Sequence, residues 1–271
     1  MKLIIMQAWL PFVLIAFTFA GCTKEVVEFT DTPIIESYLK PGDDLQVNIS
    51  RQIPFASDVT YSADDINNLT VQVTINNATT HTLQPAGNGQ YVDNSYTVAE
   101  GDSYELSFQF NSKNVTAYTY VPSDPANATQ SVTELYIERM DSTSGPPSGG
   151  MPDPVEITWD NPDGSYYLLV VECVETTLDP IRDFGDDGPP SNIFRKQPTN
   201  GSSEEIRAME FQYYGTHRIT VYHVLPDYAA LYDQNSASSQ NLTNPSTSIT
   251  NGYGIFTGLN SVTLWVEVRE Q

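Results

Sequence analysis

Apolar and polar residues alternate with period two along much of this chain. That period predicts β-strands, because successive side chains of a strand point to opposite faces. It is clearest in Leu45-Gln46-Val47-Asn48-Ile49-Ser50 and in Leu69-Thr70-Val71-Gln72-Val73-Thr74-Ile75-Asn76. Ile34 to Leu39 forms a further strand, and the turn Lys40-Pro41-Gly42-Asp43-Asp44 folds it back on 45–50 as a hairpin. Asn88-Gly89 marks another turn, and Tyr104 to Phe110 and Val115 to Val121 complete the set. Short strands at this spacing predict an immunoglobulin-like β-sandwich over residues 33–122. Within it, Gly101-Asp102-Ser103-Tyr104-Glu105-Leu106 resembles the corner of Greek-key sandwiches in which a tyrosine hydroxyl bonds back to the main chain.

Residues 122–131, with Pro122 and Pro125, read as a linker to a second set of strands. That set runs over 132–139, 155–159, 165–175, 206–211, 216–225 and 262–268, with one or two turns of helix at Pro226 to Tyr232. The passage from Val155 through Trp159 and the Asn161-Pro162-Asp163-Gly164 turn to Glu175 resembles fibronectin type III domains, with Trp159 in the core. The expected architecture is therefore all-β: the 33–122 sandwich, then a second, fibronectin-III-like β domain over 130–271. Long loops at 141–154, 178–204 and 233–258 would carry its contacts, since loops on rigid sheets commonly do.

The start of the chain follows a different rule. Met1-Lys2 precedes an apolar run to Ala20 that Gln7 and Pro11 interrupt, and Phe19-Ala20-Gly21-Cys22 ends it. A basic start, a short apolar stretch and small residues before a cysteine make residues 1–21 a lipoprotein signal peptide. Cys22 is then the lipidated N-terminus, and 22–32 a tether. Buried acyl chains would hold the protein on a membrane that it does not span. Cys22-Thr23-Lys24-Glu25 resembles the export signal of Bacteroidota surface lipoproteins, with Lys24 and Glu25 carrying the match. The expected location is the outer membrane, lipid-anchored and facing the exterior.

Composition narrows the partners. A net charge of −22, with only 12 Lys and Arg, opposes nucleic acid, whose phosphates need cations to neutralise them. With Cys22 acylated, Cys173 stands alone in an apolar strand and reads as a buried inert thiol.

Catalytic patterns are poor. His217 and His223 face the same side of one strand, but six residues put them about 20 Å apart, too far to share a metal. No nucleophile elbow, zinc helix or phosphate loop appears. No cofactor is expected except calcium, for which Asp179, Asp183, Asp186 and Asp187 crowd one loop, without EF-hand spacing. Tyr213, Tyr214, Tyr253 and Phe256 are candidates for contact with a glycan or protein partner. Asp141-Ser142-Thr143 resembles a Bacteroidota O-glycosylation triplet, with Ser142 as acceptor.

Several segments together resemble a family of Bacteroidota outer-membrane lipoproteins whose genes accompany TonB-dependent transporters. They are Pro33 to Arg51, Gly87-Asn88-Gly89-Gln90-Tyr91, Gly101 to Pro122, Tyr222 to Tyr232, and above all Asn251-Gly252-Tyr253-Gly254-Ile255-Phe256-Thr257-Gly258. The family has no settled activity. The resemblance implies compartment and partner class rather than chemistry. Together with Cys22, Lys24-Glu25 and the sandwich strands it leads to the expectation of a non-catalytic surface lipoprotein acting as accessory subunit of a TonB-dependent outer-membrane transporter or related barrel complex. A self-standing glycan- or matrix-binding adhesin is the alternative, and a hydrolase with an unrecognised site is the third reading.

Overall fold

In the first hairpin, β1 (Pro33–Leu39) turns Ile35, Ser37 and Leu39 inward and Glu36 and Tyr38 outward, as period-two alternation requires. Its partner β2 (Asp44–Arg51) buries Leu45, Val47 and Ile49 on the same face. The computed structural model describes residues 31–52, 62–140, 150–183, 188, 190–232 and 247–271. Cys22, Lys24, Glu25, Ser142, Asp186 and Asp187 lie outside the described residues.

After a one-turn helix, α1 (Asp64–Asn67), come β3 (Gln72–Ile75), β4 (Thr79–Thr82), β5 (Gln84–Gly87), β6 (Gln90–Thr97), β7 (Ser103–Phe110) and β8 (Lys113–Tyr120). Strands β1, β2, β6 and β5 form one sheet in that order, and β4, β3, β7 and β8 the other. Their inner faces meet in one core that includes Ile35, Val47, Val73, Leu106 and Val115. The expected tyrosine corner is present: the Ala99 amide donates to the buried Tyr104 hydroxyl at 3.0 Å.

The second half contains β9 (Thr129–Gln130), β10 (Glu134–Ile137), β11 (Val155–Thr158), β12 (Tyr166–Cys173), β13 (Asp179–Pro180), β14 (Ile193–Arg195), β15 (Ser203–Ile206) and β16 (Tyr213–Val224). The short helix α2 (Pro226–Ala229) and the final strand β17 (Tyr253–Glu270) follow. A sheet of β15, β11 and β9 faces one built on β14, β12, β16 and β17. Between them lie Val155, Ile157, Trp159, Tyr167, Leu169, Ile219 and Val266. Trp159 is a core residue, as expected, with its ring 5.2 Å from that of Tyr167. Two details differ from expectation. The 178–204 segment is not merely a loop, since it holds β13, β14 and the start of β15. The strand expected over 206–211 ends at Ile206, because Ala208–Glu210 turns as a 3-10 helix, with the Glu210 carboxylate accepting from the Arg207 amide at 2.8 Å.

The two halves share a strand. The first part of β17 runs parallel to β1, from Ile34 opposite Tyr253 to Leu39 opposite Gly258. Its continuation runs antiparallel to β16, from Val224 opposite Leu259 to Gly215 opposite Val268. One ten-stranded sheet therefore passes through both sandwiches. Phe256, fully buried, and Ile249 belong to the first core, so residues 33–122 are completed by the C-terminal segment and β17 crosses the expected 122–130 boundary. The expected closing strand at 262–268 is only the later part of β17.

The linker itself is pinned to this strand. The His223 Nδ1 donates to the Ser123 carbonyl at 2.8 Å, and the Asn260 amide donates to the Pro122 carbonyl at 3.0 Å and to Glu100 at 2.9 Å. Close approach explains two glycines of the C-terminal motif. A Cβ at Gly258 would stand 2.0 Å from the Tyr120 carbonyl oxygen, and one at Gly254, where φ is +99°, would meet Ile35.

Candidate functional site: a groove on the outer sheet face

The sheet of the second half has a second face. Along β12, residues 167, 169, 171 and 173 point into the core, so Tyr166, Leu168, Val170 and Glu172 point out. The same alternation on β16 turns Arg218, Thr220, Tyr222 and Val224 outward. Cross-strand pairing sets these side chains in rows. Ile193, Glu172, Arg218 and Trp265 stand side by side; then Arg195, Val170, Thr220 and Thr263; then Leu168, Tyr222 and Ser261; then Tyr166, Val224 and Leu259.

Leu168, Val224 and Leu259 are buried, although they lie on the outward face, because α2 and the end of β1 cover them. Pro226, preset for a first helical turn, starts α2 directly after β16, and Ala230–Tyr232 continues it as a 3-10 turn, as the sequence predicts. The Thr257 hydroxyl donates to Asp227 at 3.0 Å and ties this helix to β17. Tyr228 thereby meets Tyr38 edge to face, with ring centroids 6.0 Å apart. What remains open is a groove of about 460 Å³ over the junction of the two halves, a volume in the range of small-ligand sites.

Its electrostatics run against the rest of the chain. Lys40, Arg195 and Arg218 line it, with Glu172 as the one acidic residue among the described lining residues. Arg218 is held by Glu172 at 2.5 Å. The Lys40 ammonium lies 5.7 Å from the centre of the Tyr222 ring, within cation–π range. Lys40 and Arg195 make no ion pair among the described residues, whereas Arg51, Arg139, Lys196 and Arg269 all do. Burial, and then the neighbouring Glu36, push the Tyr38 hydroxyl up. Burial, and then its hydrogen bond with Tyr232, push up that of Tyr228. Both hydroxyls stay protonated at neutral pH. The groove thus offers fixed positive charge, neutral hydroxyls and aromatic faces.

The residues singled out from the sequence are mostly elsewhere. Tyr213 and Tyr214, expected as exposed contacts, are buried: their hydroxyls donate to the carbonyls of Pro190 and Ile137, the latter at 3.0 Å. Phe256 is fully buried, and Tyr253 is half-buried beside Ile34. These corrections share one cause. The aromatics lie on strand segments covered by the rest of the fold: Tyr213 and Tyr214 point to opposite faces of β16, both of them buried, and Phe256 faces the first core. Asp179, one of the candidate calcium ligands, is gripped by both terminal nitrogens of Arg139, at 2.9 and 3.0 Å, and Arg139 also holds Glu270. Asp183 donates its amide to the Met140 carbonyl. Among the described residues no three Asp, Glu, His or Cys side chains gather as a metal site.

The two histidines do face the same side, and both are buried. His223 stacks on Tyr167 at 4.8 Å, and His217 meets Phe211 edge to face. Cys173 is buried, and burial pushes its thiol pKa up, as an inert thiol requires. Sequence reasoning missed Lys40, Arg195, Arg218, Tyr222 and Trp265. Alternation along 165–175 and 216–225 assigns both faces of those strands, but only the pairing of β14 with β12 places Arg195 beside them.

Interlocked sandwiches, each closed on its own core, define the class as an all-β protein of β-sandwich type. More particularly, the chain belongs to the family described as "Domain of unknown function (DUF4249)", whose model matches residues 23–264. No curated protein matches it. Solved structures similar to it include a two-domain fibronectin type III segment of chicken tenascin. That match has 8% identity over 88% of this chain and 99% of the other, with a TM-score of 0.23. The FN1–FN3 domains of chicken CNTN1 match at 11% identity over 89% of this chain and 65% of that one, with a TM-score of 0.28.

Proposed function

We propose that this protein is a non-catalytic surface lipoprotein, held on the outer membrane by acylated Cys22, that serves as accessory subunit of a TonB-dependent transporter or related barrel complex and helps it handle ligand. The observation that carries this reading is the groove at the junction, built from both halves around the shared strand β17. A subunit that passes ligand to a channel has to hold a binding surface in fixed geometry. A strand common to two sandwiches supplies that rigidity, because the groove cannot deform without breaking ladder hydrogen bonds. The leader ending at Cys22 and the family resemblance support the compartment and the barrel partner.

Affinity purification of the tagged protein from detergent-solubilised outer membranes, with mass spectrometry of co-purifying chains, tests the reading. A stoichiometric TonB-dependent barrel is the expected result. A protein that emerges alone under gentle detergent would remove the accessory role and leave the self-standing adhesin, which the exposed Trp265 beside the groove favours.

A further inference from the structure

The positive groove lies in a strongly acidic chain, and this contrast identifies the kind of ligand. We infer that the groove over β14, β12, β16 and β17 binds an acidic oligosaccharide, a short chain of sugar rings bearing carboxylates or sulfates. The inference rests on the reading of the groove as a ligand site and not on the identity of any barrel.

Size comes first. From β14 to β17 the face spans three inter-strand steps, or about 14 Å, and from the Arg218 row to the Val224 row six residues, or about 20 Å. A surface of this extent fits a chain of rings better than a single small anion. Aromatic faces stand at both ends. Trp265, 48% exposed, pairs across the ladder with Arg218 at one end, and Tyr38 and Tyr228 meet at the other. Flat aromatic surfaces suit the apolar C–H faces of sugar rings, while the hydroxyls of Thr220, Ser261 and Thr263 between them suit ring hydroxyls.

Charge comes second. Arg195 and Lys40 lie on opposite sides of the groove, without carboxylate partners among the described residues, in a chain with 34 acidic residues against 12 basic ones. The buried Leu168, Val224 and Leu259 keep water from part of the floor, which strengthens the pull of those cations on an anion. The net charge of −22 does not cancel this attraction, because charges farther off than about 8 Å are largely screened at physiological salt. It does repel a long polyanion, and so favours a short ligand carrying a few charges.

The test is isothermal titration of the purified full-length protein in detergent with oligogalacturonate, with sulfated maltohexaose and with neutral maltohexaose. At least one acidic oligosaccharide should bind at least tenfold more tightly than the neutral one, and its affinity should fall as salt rises. Oligogalacturonate alone would identify uronic acids, sulfated maltohexaose alone a sulfated sugar, and both a site that reads charge. Arg195→Ala and Lys40→Ala should each weaken binding about tenfold, the loss expected for one charge-assisted hydrogen bond. Arg195→Lys should retain most of the affinity, and the unfolding temperature of all three variants should match the parent. Failure of both acidic oligosaccharides to bind, equal binding of the neutral one, or binding that survives the double alanine variant would overturn the inference. Barrel co-purification is a separate readout: a barrel retained by a double variant that no longer binds sugar would leave the accessory role standing.

Discussion

Gly254 lies against Ile35 so closely that a Cβ added to it would stand 2.0 Å from the Ile35 carbonyl oxygen. The two residues are partners in the parallel ladder that carries β17 along the first sandwich. The glycine also has a φ of +99°, a backbone conformation in which a side chain is strained. Steric and conformational demands thus fall on one atom, and the obstacle is backbone, which cannot step aside as a side-chain tip can.

Gly254→Ala should therefore cost about 3 kcal/mol or more. Gly42→Ala is the comparison. Gly42 also has positive φ, at +92°, but nothing lies within 4 Å of its added Cβ. That substitution should cost only about 1 kcal/mol. Urea denaturation of both variants measures the difference, and equal losses would mean that the approach of β17 to β1 is looser than described.

Tyr104→Phe removes the hydroxyl oxygen that accepts from the Ala99 amide in the corner. The Ala99 amide donates to this hydroxyl at 3.0 Å, and the Tyr96 hydroxyl lies 3.3 Å away. The ring stays in the core, so packing is unchanged, while the Ala99 amide, on an exposed residue, exchanges its acceptor for water. A loss of about 0.5–1.5 kcal/mol follows. A change near zero on chemical denaturation would show that water serves the Ala99 amide as well as the hydroxyl does.

His217 gives the fold an acid sensitivity. Burial lowers its pKa from 6.5, outweighing the bond to the Gly215 carbonyl and the nearby Glu267 and Glu175, which raise it. The folded state thus holds a neutral imidazole that the unfolded chain protonates more readily. Between the lowered folded pKa and 6.5 the unfolded chain binds more protons, so stability is complete above 6.5 and falls as the pH drops below it. The loss is at most about 1.4 kcal/mol per pH unit. Denaturation midpoints should decline from pH 7.5 to 5.5 in the parent and stay flatter in His217→Gln. Asp93, Asp179 and Glu270 also have lowered pKa values, but they lose their contribution only below the ordinary carboxylate range, in a separate window. Parallel pH curves for parent and variant would dissociate the acid sensitivity from His217.

Much of the fold was legible because alternation is a local signal. Strands such as β2, β7, β12 and β16, the Tyr104 corner and the buried Trp159 follow from residue order alone. The first part of β17 was not, since Tyr253-Gly254-Ile255-Phe256-Thr257-Gly258 reads as a glycine-broken loop until β1 is known to lie beside it. As a loop residue Phe256 reads as a contact, whereas as a strand residue it faces the first core. β6 was missed for a related reason: Gln90-Tyr91-Val92-Asp93-Asn94-Ser95-Tyr96-Thr97 is polar and only its start is deeply buried. The groove depends on strand pairing, and neither composition nor period places Arg195, Arg218 and Trp265 on neighbouring strands.

The shared strand predicts how the halves unfold. Phe256 sits fully buried in the first core, while Trp159 sits in the second. Phe256→Ala should cost the first core about 3–5 kcal/mol through lost burial and the cavity left behind. If the halves were independent, tryptophan fluorescence would not register this loss, because Trp159 is buried in the second half and Trp265 is exposed there. Here the residues that follow Phe256 in β17 pair with β16 from Leu259 opposite Val224 to Val268 opposite Gly215, and Asn260 and His223 pin the connection at Pro122 and Ser123. Freeing the first part of β17 exposes those bonds and the buried Leu259 to water, and the second half loses the neighbour that orders its central sheet. Trp159 fluorescence and hydrogen exchange in β7 should therefore report one transition, shifted together to lower urea in the variant. A Trp159 midpoint that stays at the parent value while β7 loses protection would mean that β17 joins the two sandwiches without coupling their stability.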